Sequence, residues 1–282
     1  MKDRPRADAL LLERFSRHAG RGINRFEMIG PGDRILIGVS GGKDSLALSL
    51  ALQERRKWVP IDYELFAVQV EWREYPMTDE EKAAIDGFFD GIGIPLRRIQ
   101  AQIAPPTFGK KFSCYTCARN RKRILFDEAT RIDARKIALG HHMDDIARTT
   151  LMNMFFHGEL STMMPVQHFF GGKLSIIRPL CEIRESEVSR LAARLDLPSA
   201  PNRCPRADKN RRLLMKEILR QASHVDRHAV SNVYGAAWRV NSEYLPLPSS
   251  ARTAPPDCKD ESGAADAAEE DNADTRLPEA WL

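Results

Sequence analysis

The stretch Arg34-Ile35-Leu36-Ile37-Gly38-Val39-Ser40-Gly41-Gly42-Lys43-Asp44-Ser45 joins an apolar run to a glycine pair and then to the start of an amphipathic segment. This pattern predicts a strand, a tight loop and a helix. Adjacent glycines let the backbone approach a ligand, and the first N–H groups of a helix have no partner within it. Those groups attract anions, and Lys43, Ser40 and Ser45 add a positive charge and two hydroxyl donors. The loop is therefore expected to bind phosphate.

This loop is not a Walker A motif. The pattern G-x-x-x-x-G-K-[ST] would need Gly at Ile37 and Ser or Thr at Asp44. The loop instead resembles the PP-loop of ATP pyrophosphatases, which adenylylate a substrate atom and release pyrophosphate. The resemblance implies that ATP is bound by Ser40, Gly41, Gly42, Lys43, Asp44 and Ser45. The alternative is a glycine-rich connection that only closes a strand–helix unit.

Length and composition limit the class of protein. The 282 residues, 43% of them hydrophobic, suit one nucleotide-binding domain with additions. No apolar run is long enough to span a membrane, and the charged start Met1–Arg6 is not followed by an apolar segment, so we expect a cytoplasmic protein with no membrane partner. The five cysteines are odd in number and lack dense disulfide spacing, which fits that compartment.

Alternating apolar segments predict an α/β fold with a doubly wound parallel sheet. The predicted strands are residues 34–39, 63–70, 96–99 and 136–139. The predicted organisation is an N-terminal helical lead-in (1–30), a PP-loop nucleotide-binding domain (31–182), a C-terminal helical region carrying the third cysteine (183–247) and a disordered acidic tail (248–282). In such sheets ligands bind beyond the carboxyl ends of the strands, where the PP-loop lies.

Charge is divided unevenly along the chain. Residues 249–282 hold nine acidic and three basic residues, a net charge of −6, so the rest of this +4 chain carries +10. A basic folded part suits a phosphate-rich partner such as tRNA, and ordinary surface charge with a solubilising tail is the alternative.

A cysteine pair forms a second motif, Cys114-Tyr115-Thr116-Cys117, followed by the basic run 118–123. The spacing lets both thiolates face one metal, and the basic run is expected to lower the thiol pKa. Cys204, in a polar loop flanked by prolines, is the best third ligand, because Cys181 lies in an apolar stretch and Cys258 in the tail. Three cysteines can hold a [4Fe-4S] cluster with one iron open, but C-x-x-C also occurs in structural zinc sites and redox pairs.

A third motif, Gly140-His141-His142-Met143-Asp144-Asp145, directly follows the predicted strand 136–139. Two imidazoles and two carboxylates at the carboxyl end of a strand are placed to handle ATP, Mg²⁺ or protons. The alternative is an Asp that caps a helix, with incidental histidines.

The ordered set of motifs resembles the tRNA 2-thiocytidine synthetase family over residues 15 to 222. The resemblance is carried by the PP-loop, the Cys114/Cys117 pair, residues 141–156, Arg178-Pro179-Leu180, and Cys204. It implies an ATP-dependent sulfurtransferase that acts on a cytidine, position 32, in the tRNA anticodon loop. By the same resemblance the cytidine C2 oxygen is adenylylated and sulfur then displaces AMP. A carbonyl oxygen is a poor leaving group, and adenylation makes it a good one.

The resemblance also implies roles for individual residues. ATP with Mg²⁺ lies at the PP-loop, Gly140 and His141, and a [4Fe-4S] cluster is held by Cys114, Cys117 and Cys204. The catalytic residues are Asp44, Asp144, Asp145, Cys114 and Cys204: Asp44 assists Mg²⁺ or phosphate, and Asp144 or Asp145 lies between nucleotide and cluster. The expected partners are tRNA, a sulfur donor such as a cysteine desulfurase, and a second copy of the chain in a homodimer.

Two other functions stay open. One is a PP-loop tRNA-modifying enzyme with another target, either a different thiolated base or a lysidine-type ligation, which would not require the cysteines. The other is a non-catalytic, metal-stabilised RNA-binding protein, which predicts zinc and no ATP turnover.

Overall fold

The apolar run before the PP-loop forms a central strand of a six-stranded sheet in the computed structural model, which describes residues 4–103, 114–201, 203–204 and 211–244. The strands are β1 (Asp33–Val39), β2 (Tyr63–Trp72), β3 (Leu96–Ala101), β4 (Lys136–Ala138), β5 (Val166–Phe169) and β6 (Leu174–Ile177). The helices are α1 (Arg4–Arg25), α2 (Lys43–Arg55), α3 (Asp79–Ile92), α4 (Cys114–Arg131), α5 (Met143–His157), α6 (Glu185–Arg194), α7 (Arg211–Val225) and α8 (Ala229–Ala236). The tail predicted to be disordered lies outside the described residues.

The strand order is β3-β2-β1-β4-β6-β5. β1 pairs in parallel with β2 and β4, with Ile37 opposite Ala67 on one side and Ala138 on the other. Both faces of β1 are covered: Ile35 and Ile37 are buried in an apolar cluster with Phe15, and Leu36 is buried in a second cluster with Leu125. The predicted α/β fold is confirmed, and the carboxyl ends of β1 and β4 lie at one edge of the sheet.

The sheet is not wholly parallel, which corrects the prediction at one edge. β5 runs antiparallel to β6, with Val166 opposite Ile177. Only residues 170–173 connect the two strands, and Phe170, Gly171 and Gly172 all have positive φ. A parallel pair needs a crossover of a dozen or more residues, so this short turn dictates an antiparallel hairpin.

The N- and C-terminal helices pack into the same apolar core as one face of the sheet. One apolar cluster joins Ile35 and Ile37 to Phe15 of α1, Val188 of α6 and Tyr234 of α8. α1 packs on α2 and α6, while α5 packs on α7 and α8. The boundaries at residues 30, 182 and 247 stay predictions. In the described part of the chain, no helix has the length and apolar character needed to cross a membrane.

Candidate active site

The PP-loop is held by hydrogen bonds among its own residues. The Ser40 N–H donates to Ser45 Oγ (3.3 Å), the Gly42 N–H donates to Ser40 Oγ (3.3 Å), and Ser45 Oγ donates to the Gly42 carbonyl (2.9 Å). Gly41 has φ +83°, a left-handed conformation that favours glycine. α2 begins at Lys43 with Gly42 as its N-cap. These hydrogen bonds hold the loop in a tight turn directly before the N-terminus of α2, and a helix N-terminus is a suitable place to bind phosphate.

Charged side chains surround the loop. Lys43 Nζ lies 2.9 Å from Asp44 Oδ1 and 3.9 Å from Glu185 Oε1. Glu185 is also paired with Arg148 (3.2 Å) and Lys216 (3.0 Å). Carboxylate oxygens are preferred ligands of Mg²⁺, so the half-buried Asp44 could hold this cation at the loop.

Gly140 brings the loop after β4 against the PP-loop. A Cβ atom on Gly140 would lie 2.9 Å from both the carbonyl carbon and oxygen of Asp44, and 3.0 Å from the Ser45 nitrogen. Such distances are too short for a real Cβ, so only glycine lets the two backbones approach this closely. The loop after β1 and the loop after β4 are thereby held together at one edge of the sheet, and the structure brings Gly140 and Asp44 into contact.

His142 and Asp145 form a polar unit at the start of α5. The His142 N–H donates to Asp145 Oδ2 (3.1 Å), which caps the helix, and the buried His142 ring places Nε2 3.4 Å from the same oxygen. Burial acts to raise the pKa of Asp145, but His142, His141 and Arg148 outweigh it and hold the pKa below its ordinary value. Asp145 is therefore an anion at neutral pH, and it serves as a helix cap as well as a site carboxylate.

His141 is kept neutral by its surroundings. Burial, helped by the positive charge of Arg178, lowers the pKa of His141 to about 3. Its Nδ1 atom is shielded from solvent and has no hydrogen-bond partner among the described residues. The ring borders a small cavity that is also lined by Asp145 and Arg212. His141 thus presents an unprotonated nitrogen next to the site.

The lowered pKa of His141 makes stability depend on pH. Below the ordinary pKa of 6.5 the unfolded chain binds a proton here that the folded chain does not. Stability is therefore lost as pH falls from about 6.5 toward 3, by about 1.4 kcal/mol per pH unit. Urea unfolding at a series of pH values should show His141→Gln with a shallower acid loss than the wild type. Equal slopes in the two proteins would contradict the assignment.

Asp144 connects α5 to α6. Its Oδ2 accepts a hydrogen bond from the Glu185 N–H (2.8 Å) and lies 3.2 Å from Arg184 Nε. These bonds satisfy the start of α6 and fix it beside the PP-loop. Arg184 and Glu185 belong to no motif in the sequence, and no local signal indicated that they reach the site.

Cys114 and Cys117 lie in the first turn of α4. Cys114 is exposed, and Cys117 is half-buried beside an apolar cluster that contains Trp72 and Ile103. The basic run does act to lower the thiol pKa of Cys117, through Arg121, but this effect does not decide the outcome. Burial raises its pKa, and the charge of Arg121 only partly offsets this.

The three candidate cluster ligands share one electrostatic environment. The Cys204 and Cys114 thiols both raise the pKa of Cys117, an effect that requires them to lie near it. Among the residues that the structure describes, no three His, Cys, Asp or Glu side chains are arranged to hold a metal ion. Thiolates are the ligands through which proteins hold iron–sulfur clusters, so the chemistry of these three side chains fits such a group.

The segment before Cys204 is attached to the PP-loop and to α3. The Ala200 N–H donates to the Gly41 carbonyl (2.9 Å). Arg203 donates through both terminal nitrogens to the Glu81 carboxylate (2.7 and 2.8 Å). Glu81 also accepts from the Thr78 N–H (2.9 Å) in the capping box of α3. These contacts hold the third cysteine next to the nucleotide loop, and the sequence did not predict them.

The fold and the loop define a PP-loop protein, and a family described as the PP-loop domain matches residues 15–220. The chain is 35% identical to a tRNA-cytidine(32) 2-sulfurtransferase of Syntrophotalea carbinolica, over 86% of this chain and 94% of that protein. It is 33% identical to the protein of that name from an Anaeromyxobacter species, over 86% of this chain and 81% of the relative. The chain belongs to the tRNA-cytidine(32) 2-sulfurtransferase family.

A solved structure has the same fold. The U34-tRNA thiolase NcsA from Methanococcus maripaludis, determined with its [4Fe-4S] cluster, superimposes with a TM-score of 0.68 at 22% sequence identity. The match covers 81% of this chain and 78% of that one. At this identity the likeness concerns the fold.

Proposed function

We propose that this protein converts cytidine 32 of tRNA to 2-thiocytidine, using ATP and releasing AMP and pyrophosphate. The observation that supports this proposal most directly is that the PP-loop contacts both Gly140 and the segment leading to Cys204, so that all three form one site. The names of the relatives, with their 35% and 33% identity, supply the base and its position.

The PP-loop supports the first chemical step. Backbone N–H groups at the start of α2 and the Lys43 ammonium bind the phosphates, and Asp44 holds Mg²⁺. The C2 oxygen of cytidine attacks the α-phosphorus, and the bond to pyrophosphate breaks. Sulfide (HS⁻) then bonds to C2 and loses its proton, and the C2–O bond breaks, which releases AMP and leaves the C2=S bond.

The cysteines support the sulfur step. Cys114, Cys117 and Cys204 would hold a [4Fe-4S] cluster, which when bound supplies an open iron for an exogenous sulfur ligand. Asp145 and His141 lie at the edge of the sheet that carries the PP-loop, where Asp145 supplies a negative charge and His141 an uncharged ring. Asp144 contributes indirectly, because it accepts the Glu185 N–H hydrogen bond that fixes the start of α6.

Several partners complete the proposal. A cysteine desulfurase supplies sulfur, the enzyme works as a homodimer, and it acts in the cytoplasm where its substrate tRNA is found. The resemblance of the motifs supports these assignments, and the +10 charge of residues 1–248 supports tRNA as the substrate.

The test is thiolation by the anaerobically purified wild type. The enzyme is incubated with unmodified tRNA, ATP, Mg²⁺, sulfide and a reductant. The tRNA is then digested, and its nucleosides are identified by mass spectrometry. We expect 2-thiocytidine at position 32 and about one AMP per thiolated base, since each transfer uses one adenylate. Another thiolated base or a lysine adduct would favour a PP-loop enzyme with a different target. Tight tRNA binding without ATP turnover would favour the RNA-binding protein.

The bond between Arg203 and Glu81 is expected to hold Cys204 in place for the cluster. Exposed ion pairs contribute roughly 0–1 kcal/mol, so Arg203→Ala should leave the melting temperature nearly unchanged. Iron loss to a chelator should nevertheless become several-fold faster. Arg34→Ala breaks another exposed pair, to Glu64 (3.0 Å), far from the cysteines, and is the matched control. Equal iron loss in the two variants would contradict this role.

A further inference from the structure

A basic groove runs between α1 and α6. It has a volume of about 410 Å³. Its charged and polar lining comes from Arg14, Arg17, His18 and Arg21 of α1 and from Glu187 and Arg190 of α6, and the rest of its lining is apolar and belongs to α1. Four arginines and one histidine thus face a single carboxylate across a concave surface. The groove is separate from the PP-loop and from the cysteines.

The acidic groups near the groove already have partners. Glu187 Oε2 lies 3.0 Å from His18 Nδ1, and this contact lowers the pKa of Glu187. Glu13 lies 2.8 Å from Arg17. The exposed Arg14 and Arg21 have no ion pair within the part of the chain that the structure describes, while Arg190 lies near Glu187 and helps to lower its pKa. The four arginines of the groove outnumber the carboxylates of Glu13 and Glu187, and this excess of positive charge makes the groove suited to phosphate groups.

The aromatic side chain of Trp58 lies beside the groove, next to Arg17. The guanidinium groups of Arg17 and Arg55 lie 5.6 and 5.0 Å from the ring centroid of Trp58, which is 38% exposed. Basic grooves that carry exposed aromatic rings are typical of nucleic-acid-binding surfaces. This combination favours RNA over an acidic protein as the occupant.

Helix α6 connects the groove to the candidate active site. The helix starts at Glu185, which Asp144 and Arg148 hold beside the PP-loop. Arg190 lies five residues further on, a rise of roughly 8 Å along the axis at 1.5 Å per residue. An RNA whose loop base occupies the active site can therefore place neighbouring backbone phosphates over the groove.

We propose that the α1–α6 groove binds backbone phosphates of the tRNA, an inference that rests on the proposed function. The groove anchors the RNA while the target base reaches the nucleotide. Arg14, Arg21 and Arg190 are the phosphate ligands, and Arg17 is held over Trp58 at the end of the groove.

The test compares two double variants in tRNA binding. Arg14→Ala with Arg190→Ala removes one arginine from each wall. Arg135→Ala with Lys173→Ala removes two exposed charges just before β4 and β6, which do not line the groove. Affinity is measured by fluorescence anisotropy at several salt concentrations. We expect the groove variant to bind about tenfold more weakly at low salt, with a log–log salt slope smaller by about 1.8 for two phosphate contacts.

The control variant should keep both affinity and salt slope. ATP binding and iron content should match the wild type in all proteins, and Arg21→Ala gives an independent removal of one groove charge. Wild-type affinity and slope in the groove variants would overturn the proposal. Loss of tRNA affinity in the groove variants, from a wild type that binds tRNA but forms no thiolated base, would support the groove and overturn the proposed function instead.

Discussion

Replacement of Cys204 by Ala is expected to remove the iron and acid-labile sulfide of the anaerobically purified protein and to abolish thiolation, by at least about a hundredfold. Only Cys114 and Cys117 would remain as protein ligands, too few to hold a four-iron cluster. Iron, sulfide and zinc are measured together with the visible absorption spectrum. ATP binding should persist, because the PP-loop hydrogen bonds do not involve Cys204.

Cys181→Ala is the matched control for this experiment. Cys181 is fully buried in the apolar core, and its thiol pKa is raised to about 12 by burial. Its loss should leave the iron content at the wild-type level. Iron retained by Cys204→Ala would contradict the ligand assignment. Zinc without sulfide in the wild type would contradict the cluster itself.

The parts of the fold that the sequence predicted are those set by local pattern. Residues 35–39, before Ser40, include no polar side chain. A continuous apolar run of this length forms a strand that is buried on both faces, and the glycine pair ends it. Gly140 and Asp145 follow another buried strand. Because parallel strands end at one edge of a sheet, their position in the chain placed them beside the PP-loop.

The parts that the sequence did not predict depend on contacts between distant residues. The antiparallel β5 has only four residues, and its partner is decided by the turn at 170–173. The raised pKa of Cys117 depends on burial against Trp72, a residue 45 positions earlier in the chain. The bond from Ala200 to Gly41 joins two backbone groups, so side-chain identity carries no signal for it.

Gly140→Ala is expected to weaken ATP binding strongly. The new Cβ would meet the backbone of Asp44 at 2.9 Å, and neither a carbonyl group nor a strand end can move aside as a flexible side chain can. Overpacking costs about 1–3 kcal/mol, which corresponds to roughly a 5- to 150-fold loss of affinity if it is relieved by displacing the PP-loop. Calorimetric titration with ATP and pyrophosphate release measure the effect.

Gly87→Ala provides the comparison that separates this effect from a general cost of adding a methyl group. Gly87 lies within α3, where an added Cβ meets no heavy atom within 4 Å. That substitution should leave ATP affinity unchanged and slightly raise the melting temperature, because alanine favours the helix. Wild-type ATP affinity in Gly140→Ala would mean that the close approach of the two backbones does not shape the nucleotide site. A loss confined to Gly140→Ala would show that the close approach of the loop after β4 to the PP-loop shapes the nucleotide site, since the atoms nearest to the added Cβ are backbone atoms of Asp44 and Ser45.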